Sequence, residues 1–301
     1  MSPLHILISF FLPTFFLLSC SSIPIVLSKT TIQSQCLDDQ RSALVQLQQD
    51  LYFSPHFTFS SKVELWDLKT DYCSWNGVTC DALGHVIGLD LNYKTLSGTF
   101  QSIFDLHHLQ RLNFAGNNFN TTLFPYRFEG LPNLTHLNLS DSCFHGQIPM
   151  AISHLTRLVS LDLSNQDYCY RRNDVDYYPT LKVEKPNFNS LIKNLMFLKE
   201  LYLDSVSIST QGTKWCEIIS SSLPNLHVLS MSSCGLTGPL CSSFSTLHFL
   251  SKLNLDNNPI SYLPPNFLGI SSRLVSLSLR NCNLCGHFPT EVFLLPKMPK
   301  H

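Results

Sequence analysis

The sequence predicts an α/β solenoid in which short strands stack into a concave parallel sheet behind a disulfide-closed N-terminal cap. The first observation is a spacing, Leu-x-x-Leu-x-Leu, that returns along most of the chain. Its copies open at Val86, Leu109, Leu134, Leu158, Leu198, Leu226, Leu250 and Leu274, at steps of 23, 25, 24, 40, 28, 24 and 24 residues. Self-similarity at such a period marks coils that bury their apolar sides only by stacking on their neighbours. The second observation is that residues 35–80 do not follow the repeat and carry cysteines and tryptophans instead. The third is the ending Gly146-Gln-Ile-Pro149, echoed by Gly286-His-Phe-Pro289. Glycine there supplies a turn and proline forbids a continuing helix.

Taken in order, residues 6–20 are a nearly unbroken apolar run followed by Ser21 and Ser22. This is the pattern of a secretory signal, assigned to residues 1–28 with cleavage between Ser22 and Lys29. An uncleaved membrane anchor fits less well, because the run is short and Pro13 interrupts it. No later stretch approaches the ~20 apolar residues that span a bilayer. The 301 residues carry 20 basic and 21 acidic side chains and no basic run, which argues against nucleic acid. Eleven cysteines in a secreted chain point to an oxidising compartment.

The cap spans residues 29–84. Leu44, Leu47 and Leu51 recur at helical spacing, and Trp66, Cys73, Trp75, Gly77 and Cys80 close the segment. A cap is physically required, since the first coil would otherwise expose its apolar end and a free strand edge. A Cys73–Cys80 disulfide would close a tight loop around Trp75, contributing less than the ~3 kcal/mol of a 15-residue loop.

Eight repeats follow over residues 85–297. In each, the two leucines of Leu-x-Leu face inward, and the residue between them and those just outside face solvent. Three residues after the second leucine an asparagine is expected to pair backbone groups of neighbouring coils. Asn117 and Asn258 hold that position; Ser142, Gln166, Cys234 and Cys282 replace it, and Lys94 and Val206 depart further. The 40-residue step places a Tyr-rich surface insert near 167–190, read either as an interface or as a tolerated insertion. The 28-residue step lengthens a convex-side helix around Trp215 to Ile219. Residues 298–301 read as the truncated start of a ninth repeat, with the last coil lying open.

The cap motif, the 24-residue repeats and the Gly-x-Ile-Pro endings together resemble plant leucine-rich-repeat receptor-like proteins. The runs Gln35-Cys-Leu-Asp-Asp-Gln40, Gly84-His-Val-Ile87, Leu201-Tyr-Leu-Asp204 and Thr213-Lys-Trp-Cys216 are similar to those of the Verticillium-wilt resistance group. The resemblance covers residues 34–297 and implies the N-terminal part of the ectodomain of a cell-surface immune receptor, acting in defence. Such receptors bind a microbial peptide or protein and, at full length, signal through a partner receptor kinase. The chain departs from that plan by stopping after eight repeats, by its long insert, and by Tyr72, which stands where the family has a cysteine and leaves Cys36 without its usual partner.

Candidate ligand-binding residues on the concave face are Asp90, Asn113, Asp162, Tyr202, Asp204, Asn254, Asp256 and Arg280. Seven strand gaps of ~4.8 Å give a sheet about 34 Å long and, at about 13 Å wide, roughly 450 Å² in area. That is short of the ~800 Å² per partner of a stable protein interface, yet holds about ten extended peptide residues. Glycosylation acceptors occur at Asn120, Asn133 and Asn138, the last on the concave strand itself. The remaining cysteines form no zinc pattern and admit many pairings. No catalytic motif is present and no cofactor is implied, so the reading is a binding scaffold and not an enzyme. The competing readings are a secreted inhibitor of a microbial cell-wall-degrading enzyme, of the polygalacturonase-inhibitor type, and a non-signalling decoy.

Overall fold

In the computed structural model the chain divides into two compact units, Met1–Cys36 and Leu37–His301. Residues 29–53, 65–119, 123–165, 181–210, 212–267 and 273–286 are described, with backbone alone for 29–36. The expected signal segment 1–28, insert residues 167–180, Gln166, Asn120 and residues 298–301 lie outside this set.

Leucines at helical spacing produce α1 (Lys29–Asp50), and Leu44, Leu47 and Leu51 are fully or almost fully buried. Each such burial is worth roughly 1.5–3 kcal/mol. The helix runs directly into β1 (Leu51–Phe53). After it come β2 (Val78–Cys80), β3 (Val86–Asp90) and β4 (Leu96–Gly98). β1 pairs antiparallel with β4, a pairing that no periodicity of the chain marks. Gly98 makes this possible, since a Cβ there would sit 2.2 Å from the Asp50 carbonyl oxygen.

The cap closes around two stacked tryptophans, Trp66 and Trp75, with ring centroids 5.0 Å apart. Both indole N–H groups are satisfied, Trp66 donating to the Asn76 carbonyl and Trp75 to the Asp67 carbonyl. The Arg41 guanidinium lies 5.5 Å from the Trp75 ring centre. The Cys73–Cys80 disulfide is formed as expected. Tyr72 is buried, and its hydroxyl donates to the Gly84 carbonyl at 2.7 Å. The buried Gln40 side chain accepts the Val86 N–H at 2.7 Å, tying helix to first repeat strand. β2 pairs antiparallel with β3 and so covers its outer edge.

The repeats continue with β5 (Arg111–Asn113), β6 (His136–Asn138), β7 (Gly146–Gln147), β8 (Ser160–Asp162) and β9 (Leu181–Val183). Then come α2 (Phe188–Ile192), β10 (Glu200–Tyr202), β11 (Ser207–Ile208) and α3 (Lys214–Ser222). The last are β12 (Val228–Ser230), β13 (Lys252–Asn254) and β14 (Ser276–Ser278). A nine-stranded sheet orders them β14-β13-β12-β10-β8-β6-β5-β3-β2. Every pair from β3 to β14 is parallel and in one register, with Leu89, Leu112, Leu137, Leu161, Leu201, Leu229, Leu253 and Leu277 aligned. The 40-residue step is thus one long coil, since Leu161 pairs directly with Leu201.

Part of the expected surface insert is interior. Residues 181–183 form β9, which joins β7 and β11 in a second parallel sheet, and Phe188, Leu191 and Ile192 of α2 are fully or almost fully buried. Apolar residues at 181, 183, 188, 191 and 192 need cover, and the coil interior supplies it. The Gly-x-Ile-Pro ending likewise does more than turn the chain, because Gly146 and Gln147 are β7 itself. Behind the concave sheet the first coils pack phenylalanines edge to face, with Phe100 5.0 Å from Phe114 and 5.1 Å from Phe119.

The buried amides act as expected. Asn258 Oδ1 accepts from the N–H groups of Cys234 and Leu236 at 3.0 Å, and its Nδ2 donates to the carbonyls of Met231 and Leu255. Asn117 repeats the pattern with Lys94, Leu96, Leu91 and Phe114. Where the amide is replaced, only the donor half survives. Ser142 Oγ donates to Phe114 O, Cys234 Sγ to Leu203 O and Cys282 Sγ to Leu255 O.

Asn258→Ala, which strands two buried N–H groups and two buried carbonyls, is expected to lower stability by about 3 kcal/mol in urea unfolding, with an unchanged denaturant slope. Tyr72→Phe, which removes one hydroxyl bond and keeps the packing, is expected to cost about 1 kcal/mol in the same assay.

Candidate functional site

Each repeat strand points its central leucine inward, so the residues on both sides of it face the concave surface. The row after the leucine runs Asp90, Asn113, Asn138, Asp162, Tyr202, Ser230, Asn254 and Ser278. The row before it runs Gly88, Arg111, His136, Ser160, Glu200, Val228, Lys252 and Ser276. Over the first five coils the two rows, with Thr79 of the cap, line a groove of about 500 Å³. Asp90, Asn113, Asp162 and Tyr202 line it as the sequence suggested, and Asn254 continues the same row two strands on.

The aspartates and asparagines of this row have a structural task. Oδ1 of Asp90, Asn113, Asn138, Asp162 and Asn254 accepts the N–H two residues on, at 2.9–3.2 Å. This closes each strand into its turn with a local side-chain bond. Ser230 and Ser278 lack a carboxyl or amide oxygen for it. The preceding coil compensates: Asp204 accepts from Ser232 N–H and from Ser230 Oγ, and Asp256 accepts from Arg280 N–H and Ser278 Oγ. Asp204, Asp256 and Arg280, expected as ligand contacts, therefore sit in the turn beyond the strand. The Asp256 side chain is 4% exposed, and its second oxygen meets Arg280 Nε at 2.9 Å.

These environments split the carboxylates. Burial raises the pKa of Asp162, partly offset by Ser164, with Asp204 and Asp141 adding to the rise. Burial also raises Asp204 against its hydrogen bonds from Ser232 and Ser230, and Asp256 and Asp141 push it the same way. At Asp256 burial again acts upward, but the bonds from Ser278 and Arg280 outweigh it and hold the carboxyl below its usual range.

The row before the leucine was expected to face solvent, but none of its residues was named as a candidate contact. It holds the side chains with the fewest internal bonds. Arg111 is exposed and pairs with no acidic group among the described residues, and His136 is exposed beside it on the next strand. Glu200 accepts one bond, from Ser160 Oγ at 2.9 Å.

Asn138 lines the groove, and its Oδ1 accepts both the N–H and the hydroxyl of Ser140 within its own acceptor sequence. Asn133 lies before its strand, donating to the His107 carbonyl and accepting from Arg157. Cys216 and Cys241, one coil apart, form a second disulfide that the spacing had left unassigned, and Cys143 is also disulfide-bonded. Cys234, Cys282 and Cys285 carry free thiols. Burial pushes the Cys234 thiol upward, which suits a hydrogen-bond donor and not a nucleophile. Among the described residues no helix is long and apolar enough to cross a membrane.

Residues 37–81 match the leucine rich repeat N-terminal domain, and residues 85–144, 225–247 and 249–270 match the leucine rich repeat. The chain is a capped leucine-rich-repeat solenoid with a polar concave groove. It is similar to plant receptor-like proteins. Receptor-like protein 6 of Arabidopsis thaliana is 34% identical over 97% of this chain, and receptor-like protein Cf-9 of Solanum pimpinellifolium is 32% identical over 84% of it. The chain spans 30% of each of these relatives. Among solved structures, the ectodomain of the Arabidopsis receptor kinase HAESA in complex with an N-terminally extended IDA peptide aligns with TM-score 0.62, at 24% identity over 86% of this chain and 44% of that one. A plant ice-binding protein aligns with TM-score 0.59, at 22% identity over 85% of this chain and 90% of that one. Both likenesses are of fold, and a fold carries more than one task.

The Asp256 carboxylate gives a pH prediction. Folding favours its ionised form, so its stabilisation is present above the ordinary carboxylate range and is lost as pH falls through its depressed value. Asp256→Asn is expected to flatten the acid limb of a stability-against-pH curve and to cost about 1.5 kcal/mol at neutral pH, read by thermal melts across the acid range.

Proposed function

We propose that the chain is the ligand-recognition part of a plant cell-surface immune receptor-like protein, of the wilt-resistance kind, and that it acts in defence by binding. Its ligand is an extended microbial peptide, or an extended segment of a microbial protein, laid across the concave sheet. The observation that carries this reading is the groove, which crosses five coils and presents side chains not consumed by the fold. The five strands span about 19 Å, the reach of roughly six extended residues. The similarity to receptor-like proteins supports the class, and the peptide hormone held by the HAESA ectodomain, a solenoid of the same fold, supports a peptide as the kind of ligand. Carbonyl and N–H groups of an extended chain would exchange hydrogen bonds with the polar rows, which suits main-chain recognition better than an apolar grip. In a full-length parent the signal would pass to a receptor kinase outside the cell, with no chemistry performed by this chain.

The test uses the full chain, secreted and immobilised, over peptides fractionated from microbial culture medium. Ser160→Tyr places a ring in mid-groove, and binding is expected to fall by about tenfold or more while the melting temperature is retained. Retention of undiminished binding by that folded variant would sink the concave-face reading.

A further inference from the structure

We infer that the groove selects a peptide bearing an acidic and a basic group about four residues apart. This rests on the proposal that the groove binds an extended peptide. Arg111, His136, Ser160 and Glu200 occupy one row on four successive strands, β5, β6, β8 and β10, as aligned partners. All four line the groove. The cationic Arg111, with His136 beside it, holds one end, and the Glu200 carboxylate holds the other.

Three strand gaps separate Arg111 from Glu200 by about 14 Å. That exceeds the ~8–10 Å over which exposed charges feel each other at physiological salt, so the two do not neutralise one another. No acidic side chain among the described residues pairs with Arg111. Glu200 is bonded to a neutral hydroxyl. Asp162, in the second row on the strand between His136 and Glu200, has an oxygen left over from its turn bond to Ser164 and favours a cation in mid-groove. Asp90, in the second row beyond Arg111, turns its Oδ1 back on the Asn92 N–H, and the turn residues Asp204 and Asp256 are committed to backbone, serine and Arg280 partners, so none of the three pairs with Arg111. An extended chain advances ~3.4 Å per residue, so opposite charges placed about four residues apart meet both ends at once. Charge complementarity of this kind fixes register and rejects like-charged competitors more than it adds raw affinity.

The probes are Gly/Ser peptides of roughly ten residues carrying one Asp and one Arg at increasing separations, with neutral, Asp/Asp and Arg/Arg counterparts. Binding to the full secreted chain is followed by fluorescence anisotropy. The Asp/Arg peptide at about four residues is expected to bind about tenfold tighter than neutral or like-charged peptides. Glu200→Lys is expected to transfer that preference to the Asp/Asp peptide, a result that does not depend on which way the peptide runs. Glu200→Gln, which keeps an oxygen for Ser160, is expected to remove the preference and preserve the fold. Equal binding of neutral and charged peptides, or indifference to separation, overturns the inference and leaves a peptide-binding groove standing. Failure of a cooperatively melting chain to bind any of the peptides overturns both.

Discussion

The whole solenoid depends on how each coil leaves the sheet. At the end of every strand the chain must turn sharply while its N–H and C=O groups are buried between neighbouring coils, where water cannot reach them. The residue entering that turn adopts a left-handed conformation at Tyr93, Gly116, Asp141, Ser205, Ser233, Asn257 and Asn281, with φ between 49° and 67°. Six of these are not glycine, at a cost of roughly 1–2 kcal/mol each for an ordinary L-residue and less for asparagine or aspartate. The N–H of the turn residue repays it by bonding to the carbonyl of the next coil, as from Gly116 to Ser140 and from Ser233 to Asp256. The buried amides of Asn117 and Asn258 then satisfy what the turn leaves over. Register across the sheet follows, because a coil that turns elsewhere would lose both sets of partners.

A one-dimensional stack needs a beginning. The cap supplies it with close backbone approaches. Gly77 passes so close to the first repeat strand that a Cβ would lie 2.1 Å from the Asp90 carbonyl oxygen. That approach lets β2 lie against β3 and covers the edge of the first repeat strand. Tyr72 adds buried ring area and one hydrogen bond to the Gly84 carbonyl, so packing reinforces the cap beside its disulfide.

Much of this was legible in the sequence. Eight aligned leucines, the capping helix, the Cys73–Cys80 loop and α3 all follow from periodicity and spacing. The second sheet and the β1–β4 pair were not legible, because strands of two or three residues carry too little alternation to register. The Cys216–Cys241 bridge was hidden among many pairings, though a separation of 25 residues is one turn of the solenoid. The groove was the harder case. Asp90, Asn113 and Asp162 look like ligand groups in the sequence, and nothing there reveals that one oxygen of each is turned back on its own backbone. Asp256 was misplaced for the same reason, its demand coming from a serine one coil away.

The division of labour between the two concave rows bears on how such a chain changes over generations. At Asp90, Asn113, Asn138, Asp162 and Asn254 the row after the leucine is held to a side chain with a carboxyl or amide oxygen by the turn it closes, so most exchanges there lower stability. The row before the leucine answers to no such demand, and Arg111, His136 and Lys252 stand exposed on it. One side chain per coil is thereby an open letter on a fixed page. Single substitutions there can change the chemistry of the concave face while leaving the turns, and hence the stack, intact.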